Sequence, residues 1–180
     1  MEPTYKVPAA DDHKVDLLAE SLRSNFAVRQ NRTVAKAEYV DTLPSHVAVQ
    51  PDPESRPVKC WFNVRNVVAK NGGRAIFGWA IWIRPDSHYQ AIHHAVWERP
   101  DGQLIDVTPN EIDVTSIVFM ADSRVPFDYV CFRAPASYVM HKNSTKESVQ
   151  EFWTAPDGST FTGYVLLRME DDEEHASNPK

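Results

Sequence analysis

The sequence predicts an α+β fold in which a helix bearing a cysteine packs on an antiparallel β-sheet. Three observations lead there. Apolar residues recur at three- and four-residue steps early in the chain, and stretches rich in β-branched and aromatic residues follow, a helix-then-sheet order. At 180 residues, with 42% hydrophobic and 24% charged, the chain has the length and composition of one globular domain that can bury a core without metal or disulfides. No repeat or linker divides it. The expected organisation is a loose lead-in over 1–12, a single catalytic-type domain over 13–169 and an acidic, polar tail over 170–180.

Taken in order, Asp11 or Asp12 is placed to cap a helix that carries Val15, Leu18, Leu22 and Phe26 on one face. Residues 33–43 have no clear pattern, and 46–50 alternate weakly, as a short strand would. Pro51, Pro53 and Pro57 exclude regular structure from the next loop. A second helix is predicted over 59–71: Cys60, Val64, Val67 and Val68 share a face, and Asn71-Gly72-Gly73 stops it because those residues accept left-handed backbone. Strands are expected over 75–83, 92–98, 103–108 and 116–120, and two more over 129–133 and 160–168. A short helix is expected around 146–153.

Several function classes are disfavoured. A net charge of −6 argues against a nucleic-acid surface. No apolar run approaches the roughly 18 residues of a membrane span. Met1-Glu2-Pro3-Thr4-Tyr5 lacks the layout of a secretory signal, so the expected location is cytoplasmic, with Cys60 and Cys131 as reduced thiols. Two cysteines are too few for a disulfide framework. Adjacent His93 and His94 point opposite ways on a strand, and no Cys-x-x-Cys or His-Glu-x-x-His spacing occurs, so no metal site is expected. Gly72-Gly73 follows a helix instead of preceding one, the wrong end for a phosphate.

The informative stretch runs from His93 to Pro109. Pro100-Asp101-Gly102 suits a three-residue hairpin loop, proline setting the turn and glycine taking the positive-φ position. Arg99 then faces Gln103, Val96 faces Asp106 and His94 faces Thr108. His94 and Asp106 become diagonal neighbours on one face, their Cβ atoms a little under roughly 7–8 Å apart. His93 points to the other face. A carboxylate beside an imidazole fixes its tautomer and stabilises its protonated form. His93 is the rival base if the register is odd, and Asp113 is a weaker rival carboxylate.

Cys60 gives the pair a candidate partner. It sits at the start of the second helix, where unpaired N–H groups and the helix dipole favour a thiolate. A thiolate is a nucleophile, and it needs a base within hydrogen-bond reach. Bland readings compete: a buried inert cysteine, a solvated polar strand face, a surface Asn63 one turn beyond Cys60. Asn63 is also a candidate for steadying the thiol or a substrate carbonyl. The Cys60 backbone N–H and, with less support, Gln50 are candidate oxyanion donors. Phe77, Trp79, Trp82 and Trp97 are read mainly as packing, with one of the tryptophans free to line an acyl pocket.

Cys60 on a helix, Gly73-Arg74, strand His94-Ala95 and strand Asp106-Val107-Thr108 together resemble the transglutaminase-like core of the papain-type cysteine enzymes. The likeness covers about 50 of the 180 residues, with intervals of 34 residues from Cys60 to His94 and 12 from His94 to Asp106. Tryptophan stands three residues after His94, at Trp97, and proline follows Asp106 at Pro109; both depart from the family's usual spacing and leave the subfamily open. The resemblance implies a Cys60-His94-Asp106 triad, no cofactor, and a protein, peptide or small amide as substrate. It implies a hydrolase or acyltransferase (protease, amidase or deamidase) working through a thioester on Cys60. The alternative is a binding module that keeps the fold without chemistry.

Overall fold

A computed structural model describes residues 5–30, 42–124, 126–130, 134–135, 137–142, 148–154 and 160–166. Asp12 starts the first helix. Its carboxylate accepts the Lys14 N–H at 2.9 Å, and its carbonyl accepts the N–H groups of Val15 and Asp16. These donors would otherwise be orphaned at a helix N-terminus. Helix α1 spans His13–Gln30 and buries Val15, Leu18, Ala19 and Leu22 completely or nearly so. Strand β1 (Ser45–Val49) follows, then helix α2 (Cys60–Asn71) and strands β2 (Arg74–Arg84), β3 (His88–Glu98), β4 (Leu104–Asp106), β5 (Ser116–Ala121), β6 (Ser137–His141), β7 (Ser148–Thr154) and β8 (Thr160–Leu166).

The strands lie in the order β2-β5-β1-β4-β3-β6-β7-β8, and β2 also pairs with β3. That second pairing closes β2, β5, β1, β4 and β3 into a five-stranded barrel, with β6, β7 and β8 extending from β3. Alternation of side chains divides the packing. Val47, Ile76, Ala80, Val96 and Phe119 cluster on one face of the barrel strands. On the other face, α1 packs against Trp79, Ile81, Tyr89 and Met120, and α2 sets Val64 and Val67 against Ala95, Ile105 and Val107. The α+β class therefore holds.

Several details differ from the expectations. The sheet is mixed, because β1 and β4 run parallel; the long excursion through α2, β2 and β3 lets the chain return in the same direction. Residues 148–154 form β7 where a short helix was expected, since pairing with β6 on one side and β8 on the other outweighs local preference. The chain at Tyr129 and Val130 turns instead of extending, and residues 131–133, Cys131 included, lie outside the described residues. From Tyr5 onward the lead-in is tied down: Lys6 and Ile83 exchange two backbone hydrogen bonds, and Val7 and Ala10 pack on the α1 core. The tail over 170–180 lies outside the described residues.

The end of α2 is locked to the β3–β4 hairpin. Gly73 has φ 77°, and a Cβ there would lie 2.1 Å from the Glu98 carbonyl oxygen, so only glycine allows this approach. Trp97 Nε1–H donates to the Gly72 carbonyl at 2.9 Å. At the other end Trp61 Nε1–H donates to His93 Nδ1, also at 2.9 Å. The helix between these contacts spans about 18 Å at its usual rise, and β3 from His93 to Glu98 spans about 17 Å. Helix and strand are matched in length, which delivers the first residue of α2 beside the middle of β3.

Candidate functional site

The β3–β4 register is Trp97↔Ile105 and Glu98↔Leu104, the one that the Pro100-Asp101-Gly102 loop sets. Gly102 has φ 86° and its N–H returns to the Arg99 carbonyl at 2.9 Å. Among the described residues, β3 pairs with β6 through residues 88–91 and with β4 at 97–98, leaving 92–96 unregistered along that edge. The N-terminus of α2 enters at this opening.

Cys60 is the first residue of α2 and is 5% exposed. Lys59 precedes it without a side-chain cap, and the helical bonds begin with Phe62 and Asn63 N–H donating to the Lys59 carbonyl. Helix geometry thus leaves the N–H groups of Cys60 and Trp61 without intrahelical acceptors. Val58, two residues earlier, takes φ 61°, a left-handed conformation that costs a β-branched residue about 1–3 kcal/mol. The surroundings hold this turn. Asn63 accepts the Arg56 N–H at 3.1 Å and donates to the Arg56 carbonyl at 2.8 Å and to Thr108 Oγ1 at 3.1 Å. The proline-rich loop is stitched to β4 as well, through Gln50 N–H to the Asp106 carbonyl and Asp52 N–H to the Val107 carbonyl.

His94 lies on the face of Val96 and packs edge-on to Phe119. Its side chain is 13% exposed, and its Nε2 is 3.1 Å from Asp106 Oδ2, which is fully buried. The two atoms are close enough for an ion pair but out of line for a hydrogen bond. The other Asp106 oxygen accepts the Thr108 N–H at 2.9 Å and so fixes the carboxylate. Burial by itself pushes the His94 pKa down. The charges of the Cys60 sulfur and then of the Asp106 carboxylate outweigh burial and hold the ring well above the usual imidazole range. Cys60, His94 and Asp106 are therefore brought together by three separate elements.

The other candidates fall elsewhere. Asn63 is buried and its amide is engaged with Arg56 and Thr108, so it braces the loop and does not line the cavity. His93 lies on the opposite face, stacked with Trp61 and Phe77. Gln50 and Asp113 are exposed. Trp79 is fully buried and Trp97 closes the end of α2. Trp82 lines a cavity of about 330 Å³ that also reaches Cys60 and His94.

Some contributors escape a reading of the sequence. Trp61 stacks on Phe127 with ring centroids 4.4 Å apart, and its carbonyl accepts the Tyr129 hydroxyl at 2.8 Å. This aromatic belt anchors the helix start. Its one local clue is the pair Trp61-Phe62 directly after the cysteine; the partners come from more than sixty residues downstream. Asn110 lines the cavity two residues beyond Thr108, and its clue is its place just past the hairpin motif.

Among the described residues, no group of His, Cys, Asp and Glu is arranged to hold a metal ion, and no helix is long and apolar enough to cross a membrane. No family model, curated protein or solved structure matches this chain.

Proposed function

We propose that this protein is a cysteine-dependent hydrolase or acyltransferase acting on an amide bond. The observation that carries the reading is the convergence of a helix-start thiol, an imidazole and a buried carboxylate, with the ring's proton affinity raised by both neighbours. The thiol gives its proton to His94. The thiolate attacks the substrate carbonyl carbon, and the oxygen takes up negative charge close to the Cys60 and Trp61 N–H groups at the start of α2. His94 then returns the proton to the departing amine as the C–N bond breaks, leaving a thioester on Cys60. Water or an amine next attacks the thioester carbonyl, giving up its proton to His94, and the C–S bond breaks. Asp106 keeps the ring in place and stabilises its charged form. The resemblance to the transglutaminase-like core supports the same roles, and the chemistry needs no cofactor.

The test uses p-nitrophenyl acetate, whose phenolate leaves without protonation. The reading expects a burst of p-nitrophenolate and an acetyl group on the peptide containing Cys60, both lost in Cys60→Ser. Acetylation spread over lysines, or unchanged by Cys60→Ser, would overturn it.

A further inference from the structure

Val58 is an expensive residue in its place. Among the described residues it is the one non-glycine with a positive φ, at 61°, and a β-branched side chain resists that conformation more than most. Packing does not offset the strain, because Val58 is 72% exposed. Glycine or asparagine would make the same turn with less strain and no exposed apolar side chain. The valine side chain therefore has no purpose inside the fold that a simpler residue would not serve.

Its neighbourhood supplies one. Leu43, Val58, Ile92 and Val130 are the large hydrophobic residues exposed among the described residues. Two of these four, Val58 and Ile92, border the cavity that reaches Cys60. Scattered exposed hydrophobics need no explanation, but two on one cavity beside a nucleophile, one of them strained, do. Ile92 stands two residues before His94 on β3 and so shares its face. Its partner on β2 is Ala80, and Trp82 follows two residues later on that face. Both line the same cavity, and Ala80 has only a methyl group with which to fill it. Val58 comes from the turn before α2, two residues ahead of the sulfur. A volume of about 330 Å³ lies at the small end of ligand sites, the scale of a compact group.

We infer that Val58 and Ile92 are specificity-determining residues that grip a compact apolar substituent on the acyl group transferred to Cys60, with Ala80 and Trp82 on the same wall as Ile92. The inference rests on the acyl-transfer reading of Cys60 and names the class of acyl group that the site selects. Such a substituent takes the exposed faces of Val58 and Ile92 out of water, and that burial is the source of the preference.

Two esters test it: p-nitrophenyl hexanoate and p-nitrophenyl acetate, which share a leaving group and differ by four methylenes. In each, the Cys60 sulfur bonds to the acyl carbon and p-nitrophenolate departs. Acylation rates are taken per burst site, so unfolded molecules do not count, and each is divided by the ester's hydrolysis rate in buffer. A fully buried methylene is worth about fourfold. The hexanoate-to-acetate ratio is therefore expected to be at least about tenfold in the wild type. Val58→Thr and Ile92→Thr keep the β-branched shape and replace a methyl group with a hydroxyl. Each should lower the ratio by about threefold or more. Leu43→Thr makes the same kind of change at an exposed residue outside the cavity and should leave the ratio within about twofold. A wild-type ratio below about twofold overturns the inference. So does a ratio unmoved in both cavity variants, or one that falls as far in Leu43→Thr. A wild type that neither ester acylates at Cys60 defeats the acyl-transfer reading, and the inference with it.

Discussion

His93 and His94 are neighbours on one strand, yet they live in different chemistries. His93 is 2% exposed, ringed by Trp61, Phe77 and Trp79, and its Nδ1 accepts the indole N–H of Trp61. A nitrogen that accepts carries no proton, so Nδ1 is bare and this ring serves as packing with a directed bond to Trp61. His94 faces the other way, toward a carboxylate and a sulfur, and its surroundings hold it protonated to higher pH than a free imidazole. Residue type says little here. Strand alternation decides which histidine meets charge, and α2 uses both: Trp61 grips one ring while Cys60 addresses the other.

The sharpest way to break this comparison is to remove each ring in turn. His94→Ala should slow Cys60 alkylation near neutral pH by at least about 10²-fold, the usual worth of a general base, with a small change in melting temperature. His93→Ala should do the reverse. It should lower unfolding free energy by about 2–4 kcal/mol through lost packing, while labelling per folded molecule stays within about threefold. Urea unfolding and mass-spectrometric labelling on the same samples check both.

Asp106→Asn is expected to slow acylation by about 10²–10⁴-fold. The sign of its pH effect follows from the His94 shift. A pKa raised in the fold means that the charged ring stabilises the folded protein fully below the unfolded value of about 6.5, and that this is lost as pH rises through the folded value. Removing the carboxylate takes away part of what raises it. The alkaline limb of the rate–pH profile should therefore move to lower pH. A profile that keeps its alkaline limb would show that Asp106 does not support the ring.

Asn63→Ala leaves the Arg56 backbone and Thr108 without their partner, and about 1–3 kcal/mol of stability should be lost on urea unfolding. The smallest effect tests a region remote from the site. Asp12→Ala removes the α1 cap and should cost about 1 kcal/mol. Tyr89, whose hydroxyl donates to Asp12 at 2.7 Å, is pushed up to about 12 by burial and then by that carboxylate. Its phenolate absorbance should titrate at lower pH in Asp12→Ala, with Cys60 labelling unaltered.

What could be read from the sequence tracks how local each feature is. His94 and Asp106 are legible as a pair because a three-residue loop sets their register. Asp12 and the α2 face of Cys60, Val64 and Val67 are legible from helical spacing. Barrel closure is not: it needs β1 beside β4 in parallel and β2 beside both β3 and β5, pairings that no short window encodes. β7 misleads for the same reason, since β6 and β8 decide its conformation. Asn63 misleads differently. Its position one turn from Cys60 is as expected, but the backbone of Arg56, brought back by the proline-rich loop, claims its amide.

The most direct measurement is the pH dependence of iodoacetamide labelling at Cys60, resolved from Cys131 by peptide mass spectrometry, in the wild type and in His94→Ala. The account expects Cys60 to react at least about tenfold faster than Cys131 near pH 6.5, below the ordinary thiol value of about 8.5, and to lose that advantage without His94. Labelling of Cys60 that rises only near the ordinary thiol value, and is the same with and without the His94 ring, would contradict it.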